Sequence, residues 1–220
     1  ENIYGCTEHC TENYNMEVNW DDGSCGEFIG CPDNGDYSLQ FNGIDDFVEI
    51  DNFNELYWSS NQNGHSFTLE AKFKPTGGLD DSQINFIIDK GWNGSHHFGV
   101  SLSLDSTLIY HLPIDNGYGS TINKVLMNQW NHVIMDYDYD LEIFRMYLNG
   151  IIEFQFGIEN SQLNYIDGQP FRIGTQSKNQ QINGRYFEGF IDEVKYFSTI
   201  VYDGNFELLE NAIPVAEWKF

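Results

Sequence analysis

The stretch "GFIDEVKYF", residues 189–197, carries the pattern that decides the fold. Its aliphatic and aromatic residues alternate with polar ones, which predicts a β-strand with one buried face and one solvated face. Asp192 and Glu193 stand side by side in the middle of this strand. A carboxylate in that position serves as a catalyst, a metal ligand or a solvated surface group, and the rest of the chain must distinguish these roles.

Strand-like runs of the same kind follow one another from Tyr37 to the end of the chain, separated by turn signals. This spacing is typical of a β-sandwich. Helical periodicity is nearly absent, and one short helical turn is predicted over residues 206–211. The predicted strands cover residues 37–41, 46–50, 66–75, 85–90, 97–104, 107–112, 129–137, 143–148, 151–156, 171–175, 189–197 and 215–220.

A tight hairpin is the strongest local prediction. Phe144, Met146 and Leu148 fall on one parity of a strand, and Asn149-Gly150 follows at once before Ile151. An Asn-Gly pair between two apolar runs favours a two-residue turn, because both residues tolerate positive φ.

All cysteines of the chain, Cys6, Cys10, Cys25 and Cys31, lie in the first 31 residues. So short a segment cannot build its own core, so the cluster indicates a disulfide-stapled module over residues 1–36, followed by one β domain over 37–220. Zinc is the alternative, although no C-x-x-C pair is present. Three pairings are possible, and we favour Cys6–Cys25 with Cys10–Cys31. Two disulfides would place the protein in an oxidising compartment.

The charge excludes several partners. Against 10 Lys and Arg stand 34 Asp and Glu, a formal net charge of −24. Nucleic acid and anionic membrane surfaces would be repelled. No apolar run approaches the roughly 20 residues of a membrane span, so membrane insertion is not expected. No signal peptide is visible, although a chain that opens at Glu1 fits one that has been processed.

Taken together, the strands resemble the laminin-G-like, concanavalin-A-like jelly-roll superfamily from about residue 37 to the end. The resemblance implies an all-β fold, a two-sheet antiparallel jelly-roll sandwich. The first 36 residues resemble a short Cys-rich repeat of secreted bacterial proteins, through "YGCTEHC", "ENYN" and "DDGSC". The markers of the jelly roll are "YSLQFNGIDDFVEI", "SFTLEAKFKP", "IIDKG", "WNHVIMDYD", "FRMYLNGII", "FRIGTQ", "YFEGFIDEVKYF" and the tail "YDGNFELLENAIPVAEWKF".

The resemblance also implies a structural calcium ion that joins the early "F-N-G" turn to the late strand. Its ligands would be Asn42, Gly43, Asp45 and Asp192, since calcium takes six to eight oxygens from carboxylates and carbonyls. The alternative is that Asp192 accepts a backbone N–H or pairs with a basic neighbour such as Arg172. A carboxylate in an apolar strand needs one of these partners.

Two other acidic segments are weaker candidates for a cation site. Residues 136–142 alternate carboxylates, but Leu141 stands where an EF-hand loop needs Gly and Tyr147 where it needs Glu, so a solvated hairpin tip is the better interpretation. Asp21 and Asp22 in "WDDGSC" suit either a cation or an ordinary Asp-Gly turn.

Catalytic patterns are missing from the sequence. The Glu-x-Asp-x-Glu spacing of related glycosidases does not occur, and Glu153, Glu188 and Glu193 are isolated. There is no Gly-x-Ser-x-Gly and no His-Glu-x-x-His. His132 in "WNHV" is interpreted as a histidine at the edge of the core. We therefore expect a protein that is not an enzyme.

The loop "GWNGSHHF", residues 91–98, is the candidate ligand-binding segment. Trp92, His96 and His97 suit stacking on a sugar, although they could equally pack over the end of the sandwich. Asn93-Gly94-Ser95 fits the N-glycosylation pattern of a glycoprotein.

These observations predict a secreted, non-catalytic structural or cell-adhesion protein. In the main hypothesis it assembles with itself into a filament or surface array through residues 1–36. The alternative is a calcium-dependent, lectin-like carbohydrate-binding module whose partners are glycans.

Overall fold

The structure is a computed structural model that describes residues 3–6, 13, 20–27, 37–50, 65–77, 84–93, 96–115, 117–163, 170–176, 185–202 and 213–218. The chain forms two compact units, Glu1–Asp36 and Tyr37–Phe220. Within the described residues no helix is long and apolar enough to cross a membrane. The short helical turn predicted over 206–211 lies outside them.

The smaller unit is held by a disulfide and a short ladder. Strands β1 (Tyr4–Gly5) and β2 (Trp20–Asp21) pair in parallel. Cys6 and Cys25 are disulfide-bonded, as predicted, whereas Cys10 and Cys31 lie outside the described residues and their pairing stays a prediction. The Asn13 side chain donates to the Ser24 carbonyl and accepts from the Gly26 N–H, each at 2.6 Å. This amide closes the loop beside the disulfide.

The larger unit consists of strands and a single short 3-10 turn in its described part. The strands are β3 (Leu39–Asn42), β4 (Val48–Ile50), β5 (Phe67–Pro75), β6 (Asn85–Asn93), β7 (His96–Leu102), β8 (Thr107–His111), β9 (Tyr118–Lys124), β10 (Asn131–Asp138), β11 (Ile143–Leu148), β12 (Ile151–Gly157), β13 (Phe171–Ile173), β14 (Glu188–Phe197) and β15 (Ala216–Trp218), and the 3-10 turn is Asn160–Gln162.

These strands form two antiparallel sheets. The seven-stranded sheet has the order β12-β11-β10-β5-β14-β15, and β3 pairs with the first half of β14. The six-stranded sheet has the order β4-β13-β6-β7-β8-β9. The predicted all-β, two-sheet antiparallel sandwich is confirmed.

The core lies between the sheets and follows the period-2 alternation of the strands. On β5, Phe67, Leu69, Ala71 and Phe73 are at most 2% exposed. The Phe67 ring meets Phe98 of the six-stranded sheet edge to face, with centroids 5.4 Å apart. Aromatic contacts of this kind join the two layers and add to the burial energy.

The predicted hairpin is confirmed. Leu148 pairs with Ile151 across Asn149-Gly150. Asn149 has φ 52° and Gly150 has φ 80°, the two positive values that a tight type I′ turn requires.

The adjacent carboxylates of β14 are explained by a β-bulge. Asp192 pairs with Lys72, and the ladder resumes with Lys195 opposite Glu70, so β14 holds one extra residue. Glu193 takes φ 46° at this point. Without the bulge, strict alternation would turn Glu193 toward the core. With it, Ile191 and Val194 are both fully buried, and Glu193 faces away from the core.

Strand β9 was not predicted, because its sequence "YGSTINK" carries no apolar alternation. Thr121 faces inward, whereas Tyr118 and Ile122 are 68% and 82% exposed. Its position is secured from the other sheet: the buried Glu153 accepts from the backbone N–H groups of Ile122 and Asn123 and from the Asn123 amide. One carboxylate thereby joins the two sheets along this edge.

Candidate functional site

The turn after β3, predicted to bind calcium, is closed by its own side chains. Asn42 Oδ1 accepts the N–H groups of Ile44, Asp45 and Asp46 at 2.8, 3.1 and 3.3 Å. Asn42 Nδ2 donates to Asp45 Oδ1 at 2.8 Å, and the Asn42 N–H donates to Asp46 Oδ2 at 3.0 Å. These bonds engage the side-chain oxygens of Asn42 and Asp45, two of the residues that were predicted to bind the ion.

The strand register does not bring Asp192 to this turn. Asn42 pairs with Glu188, and Asp192 lies four residues further along β14, about 13 Å away at the rise of a strand. Asp192 Oδ1 instead accepts the N–H of Glu193 at 2.7 Å, one of the alternatives that the sequence left open. The described residues hold no group of three or more His, Cys, Asp or Glu side chains arranged to bind a metal. The register therefore separates Asp192 from the turn that holds Asn42, Gly43 and Asp45, and calcium binding stays a prediction.

An ionic network covers the outer face of the seven-stranded sheet, the face turned away from the core. Glu70 is 4% exposed; its Oε1 accepts from Lys195 Nζ at 3.0 Å and its Oε2 from the Tyr202 hydroxyl at 2.6 Å. His132 Nε2 lies 3.4 Å from Glu70 Oε2. Glu193 joins the network through Lys72 at 2.6 Å and Lys195 at 3.1 Å.

Electrostatics keeps Glu70 ionised. Burial would raise its pKa, but hydrogen bonds from His132, Tyr202 and Lys195 outweigh burial and hold the pKa at about 2. A carboxylate with this pKa does not donate a proton near neutral pH.

Asp136 is the second perturbed carboxylate on this face. It is fully buried and its Oδ1 accepts from Arg145 Nε at 2.8 Å. Burial raises its pKa to about 6, against the opposing effect of Arg145. A glycosidase also uses two carboxylates with separated pKa values, but they must reach the substrate. Glu70 and Asp136 are buried and bound by basic or hydroxyl groups, although Asp136 Oδ2 has no hydrogen-bond partner in the described structure.

The predicted ligand-binding and glycosylation loop is only partly described. Strand β6 ends at Asn93, strand β7 begins at His96, and these two residues pair across the turn. The side chains of Trp92, Asn93, His96 and His97 lie outside the described part, so sugar stacking and glycosylation at this loop stay predictions. In the smaller unit, Asp22 Oδ1 accepts the Ser24 N–H at 3.0 Å, which is ordinary turn chemistry.

An aromatic pair lies beside the start of β4, the edge strand of the six-stranded sheet. Phe47 and Tyr186 have ring centroids 6.5 Å apart with planes tilted by 39°, and Phe47 is 44% exposed. Phe47 turns outward because Val48, the next residue, packs against the core. Tyr186 turns outward for the same reason, because it precedes the fully buried Phe187.

Arg172 supports this pair from the neighbouring strand β13. Its guanidinium lies over the Phe47 ring, 5.2 Å from the centroid, a favourable cation–π geometry. Arg172 Nε and Nη2 both contact Glu49 Oε2, at 2.7 and 2.6 Å, and Nη1 donates to the Gln176 carbonyl at 3.0 Å. Arg172 is thus neutralised by Glu49, and the ion pair fixes the ring of Phe47.

Arg185 and Gln176 complete the site. Arg185 Nη1 donates to Gln176 Oε1 at 3.1 Å, and Gln176 is 2% exposed. We call the cluster of Phe47, Glu49, Arg172, Gln176, Arg185 and Tyr186 the Phe47–Tyr186 site. It combines a half-exposed aromatic surface with hydrogen-bond donors and an acceptor. Such a surface suits a ligand with an apolar face and a hydroxylated edge.

Sequence reasoning missed this site, although one signal was present. In "DDFVEI", the outward parity that holds Glu49 also holds Phe47, and an aromatic residue on the solvated parity of a strand indicates a contact surface. Tyr186 lies 139 positions further along the chain, so its proximity to Phe47 follows only from the pairing of β4 with β13 and from the hydrogen bond of the Phe187 N–H to the Gly174 carbonyl, directly after β13.

The two sheets define the fold as an antiparallel jelly-roll sandwich. The chain belongs to the concanavalin A-like lectin/glucanases superfamily, whose family model matches residues 41–201. The predicted resemblance of the larger unit is confirmed. None of the curated proteins matches the chain significantly in sequence.

Solved structures share the fold at low sequence identity. A "putative carbohydrate binding protein" from Bacteroides ovatus has TM-score 0.57 and 18% identity over 83% of this chain, which spans about half of that protein (52%). The Ruminococcus gnavus IT-sialidase CBM40 bound to α2,3-sialyllactose has TM-score 0.55 and 15% identity, over 77% of this chain and 95% of that one. Domain 4 of an extracellular arabinanase from Geobacillus stearothermophilus, in complex with arabinotriose, has TM-score 0.50 and 15% identity, over 74% and 70%.

Proposed function

We propose that the protein is a non-catalytic carbohydrate-binding module that acts outside the cell and holds a sugar ring at the Phe47–Tyr186 site. The observation that carries the proposal is the half-exposed aromatic pair flanked by Glu49 and Arg185. Of the two hypotheses drawn from the sequence, this is the alternative. The main hypothesis, self-assembly through residues 1–36, has no support in the structure or in the comparisons.

The geometry suits a pyranose ring. The apolar face of the ring would stack on Phe47 and Tyr186, which would remove apolar surface of both partners from water. Arg172 reaches only Oε2 of Glu49, and within the described residues no contact uses Oε1. Glu49 Oε1 can therefore accept from a sugar hydroxyl while Arg185 donates to its neighbour.

The fold and the disulfide support the rest of the proposal. The chain shares its fold with proteins whose names describe sugar binding. The Cys6–Cys25 disulfide persists in oxidising compartments, which supports a secreted or surface location. The two perturbed carboxylates are both buried and paired, which supports a binding rather than a catalytic role.

Titration calorimetry after a glycan-array screen tests the proposal. The intact protein should bind at least one oligosaccharide, and Phe47→Ala should weaken that binding about tenfold, the equivalent of about 1.4 kcal/mol. Tyr118→Ala is the matched control, because Tyr118 is a more exposed aromatic residue at the opposite edge of the same sheet. Repeating the titration with a chelator checks the predicted calcium dependence.

Two results would contradict this function. Absence of binding to every glycan on the array at millimolar concentration would exclude a carbohydrate-binding role. Equal affinities for the wild type and Phe47→Ala, with a loss in another variant, would move the site elsewhere. The loop with Trp92, His96 and His97 would then be the next surface to mutate.

A further inference from the structure

Arg185 differs from the other arginines of the chain. Arg145, Arg172 and Arg185 are all described. Arg145 pairs with Asp136, and Arg172 pairs with Glu49. Within the described residues, the side chain of Arg185 makes one contact, from Nη1 to the neutral amide oxygen of Gln176 at 3.1 Å. An arginine without a carboxylate is unexpected in a chain with 34 Asp and Glu against 10 Lys and Arg.

Gln176 provides a second, independent observation at the same place. Its side chain is 2% exposed, and its Nε2 has no hydrogen-bond acceptor anywhere in the described structure. A buried donor without an acceptor is rare and destabilising. Gln176 cannot easily turn away, because Arg172 Nη1 holds its carbonyl and Arg185 Nη1 holds its Oε1.

Arg185 and Gln176 therefore form a cluster of hydrogen-bond donors that carries one positive charge. The guanidinium of Arg185 has five N–H donors, of which one is used, and its planar fork matches the two oxygens of a carboxylate. Glu49 does not compensate this charge, because both of its contacts go to Arg172. The nearby Asp45 and Asp46 each accept a hydrogen bond from Asn42 within their own turn.

We propose that the Phe47–Tyr186 site recognises a saccharide that carries a carboxylate, such as a sialic acid or a uronic acid. This inference rests on the proposed function and specifies its ligand. The sugar ring stacks on Phe47 and Tyr186, and its carboxylate takes a bidentate pair of hydrogen bonds from Arg185. Gln176 is a positioning residue, because its Oε1 accepts a hydrogen bond from Nη1 and so restricts the guanidinium of Arg185.

The experiment compares three probes by calorimetry: lactose, α2,3-sialyllactose and tri-galacturonate. Lactose and sialyllactose differ by the acidic sugar alone, and tri-galacturonate separates a uronate from a sialate. We expect at least one acidic probe to bind about tenfold or more tightly than lactose. Arg185→Gln should abolish that preference and weaken the acidic probe far more than lactose, because it removes the charge and keeps a polar side chain.

Matched variants make the result specific. Lys124→Gln removes the same unit charge at the far edge of the sheet, on β9, about 20 Å away at the spacing of strands, and should leave the preference unchanged. Arg185→Lys should restore only part of the preference, because an ammonium group does not form the bidentate pair. Gln176→Leu should keep the fold and lower the affinity for the acidic probe severalfold, since Arg185 loses its positioning contact.

Each outcome bears on the proposal. Equal binding of lactose and both acidic probes, or an acidic preference that survives Arg185→Gln, overturns the inference while the carbohydrate-binding function stands. If no saccharide binds the folded wild type at millimolar concentration, both are wrong. Circular dichroism melts show whether each variant is folded. If Arg185→Gln is unfolded, Gln176→Leu decides the question, because it removes a buried donor without an acceptor: an acidic preference equal to that of the wild type in this variant overturns the inference.

Discussion

The outer faces of the two sheets use charged residues in opposite ways. On the seven-stranded sheet, Glu70 is buried and is contacted by His132, Lys195 and Tyr202. On the six-stranded sheet, Arg185 and Gln176 have more donors than the described structure uses. The contacts of Glu70 compensate its charge and stabilise the fold. The second face keeps hydrogen-bonding capacity beside an exposed aromatic pair, as a binding site requires. Variants of the first face should change stability, and variants of the second should change binding.

The largest effect is expected from Arg145→Met. The substitution keeps an apolar stem and leaves Asp136, which is fully buried, without its cation. Removing one partner of a buried ion pair typically costs about 3–5 kcal/mol. Urea unfolding at pH 7 measures the loss, and Asp136→Asn with Arg145→Met should recover much of it. A loss below about 1 kcal/mol would show that the pair does not stabilise the sheet.

The next effect is a dependence of stability on pH through Glu70. Its pKa is about 2 in the folded protein against 4.5 for an unperturbed Glu. The unfolded state therefore binds a proton first, so Glu70 contributes stability above pH 4.5 that is lost as the pH falls toward 2. From the difference in pKa, the contribution is about 3 kcal/mol at neutral pH.

Denaturation curves of the wild type and Glu70→Gln between pH 7 and 2 test this contribution. The difference between the two proteins should shrink within that acidic window. Asp136 has the opposite dependence on pH. Its pKa is about 6 in the folded protein against 3.8 for an unperturbed Asp, so the stability that it contributes is present below pH 3.8 and is lost as the pH rises through 6. If the difference in the free energy of unfolding between the wild type and Glu70→Gln does not change with pH, the hydrogen-bond donors around Glu70 do not lower its pKa.

The smallest effect on stability is expected from Arg185→Gln. The substitution removes one hydrogen bond to Gln176 and no ion pair, so the free energy of unfolding should change by less than about 1 kcal/mol. The same variant should abolish the preference for acidic saccharides, as argued above. A change in stability as large as that of Arg145→Met would place Arg185 with the structural network and remove the contrast between the two faces.

Local patterns in the sequence predicted most strands and the sandwich. The hairpin from Phe144 to Ile152 follows from Asn149-Gly150 and the alternation beside it, both of which act between neighbouring residues. Strand β9 was missed because its outward residues, Tyr118 and Ile122, are exposed and its inward residues are small or polar. Its pairing with β8 and the carboxylate of Glu153 hold it in place.

The candidate calcium ligands show that a sequence pattern does not predict the register between strands. The resemblance implied one calcium site shared by Asn42 and Asp192, whereas the register pairs Asn42 with Glu188. A shift of a few residues along a strand moves a side chain by more than the size of an ion site. Register depends on the turns and bulges of every paired strand, so it could not be inferred from β3 and β14 alone.

The sequence by itself determined the class of fold, the position of the cysteine-rich segment and the strong negative charge, because these depend on composition and on neighbouring residues. Only the tertiary structure decided which carboxylate of the pair Asp192-Glu193 takes the place in the ladder and which lies in the bulge. It also decided that Phe47 meets Tyr186 across 139 positions, and that Arg185 has no carboxylate in the described structure while Arg172 has one. These outcomes depend on which strands pair and in which register, and that is settled by packing of the whole sandwich.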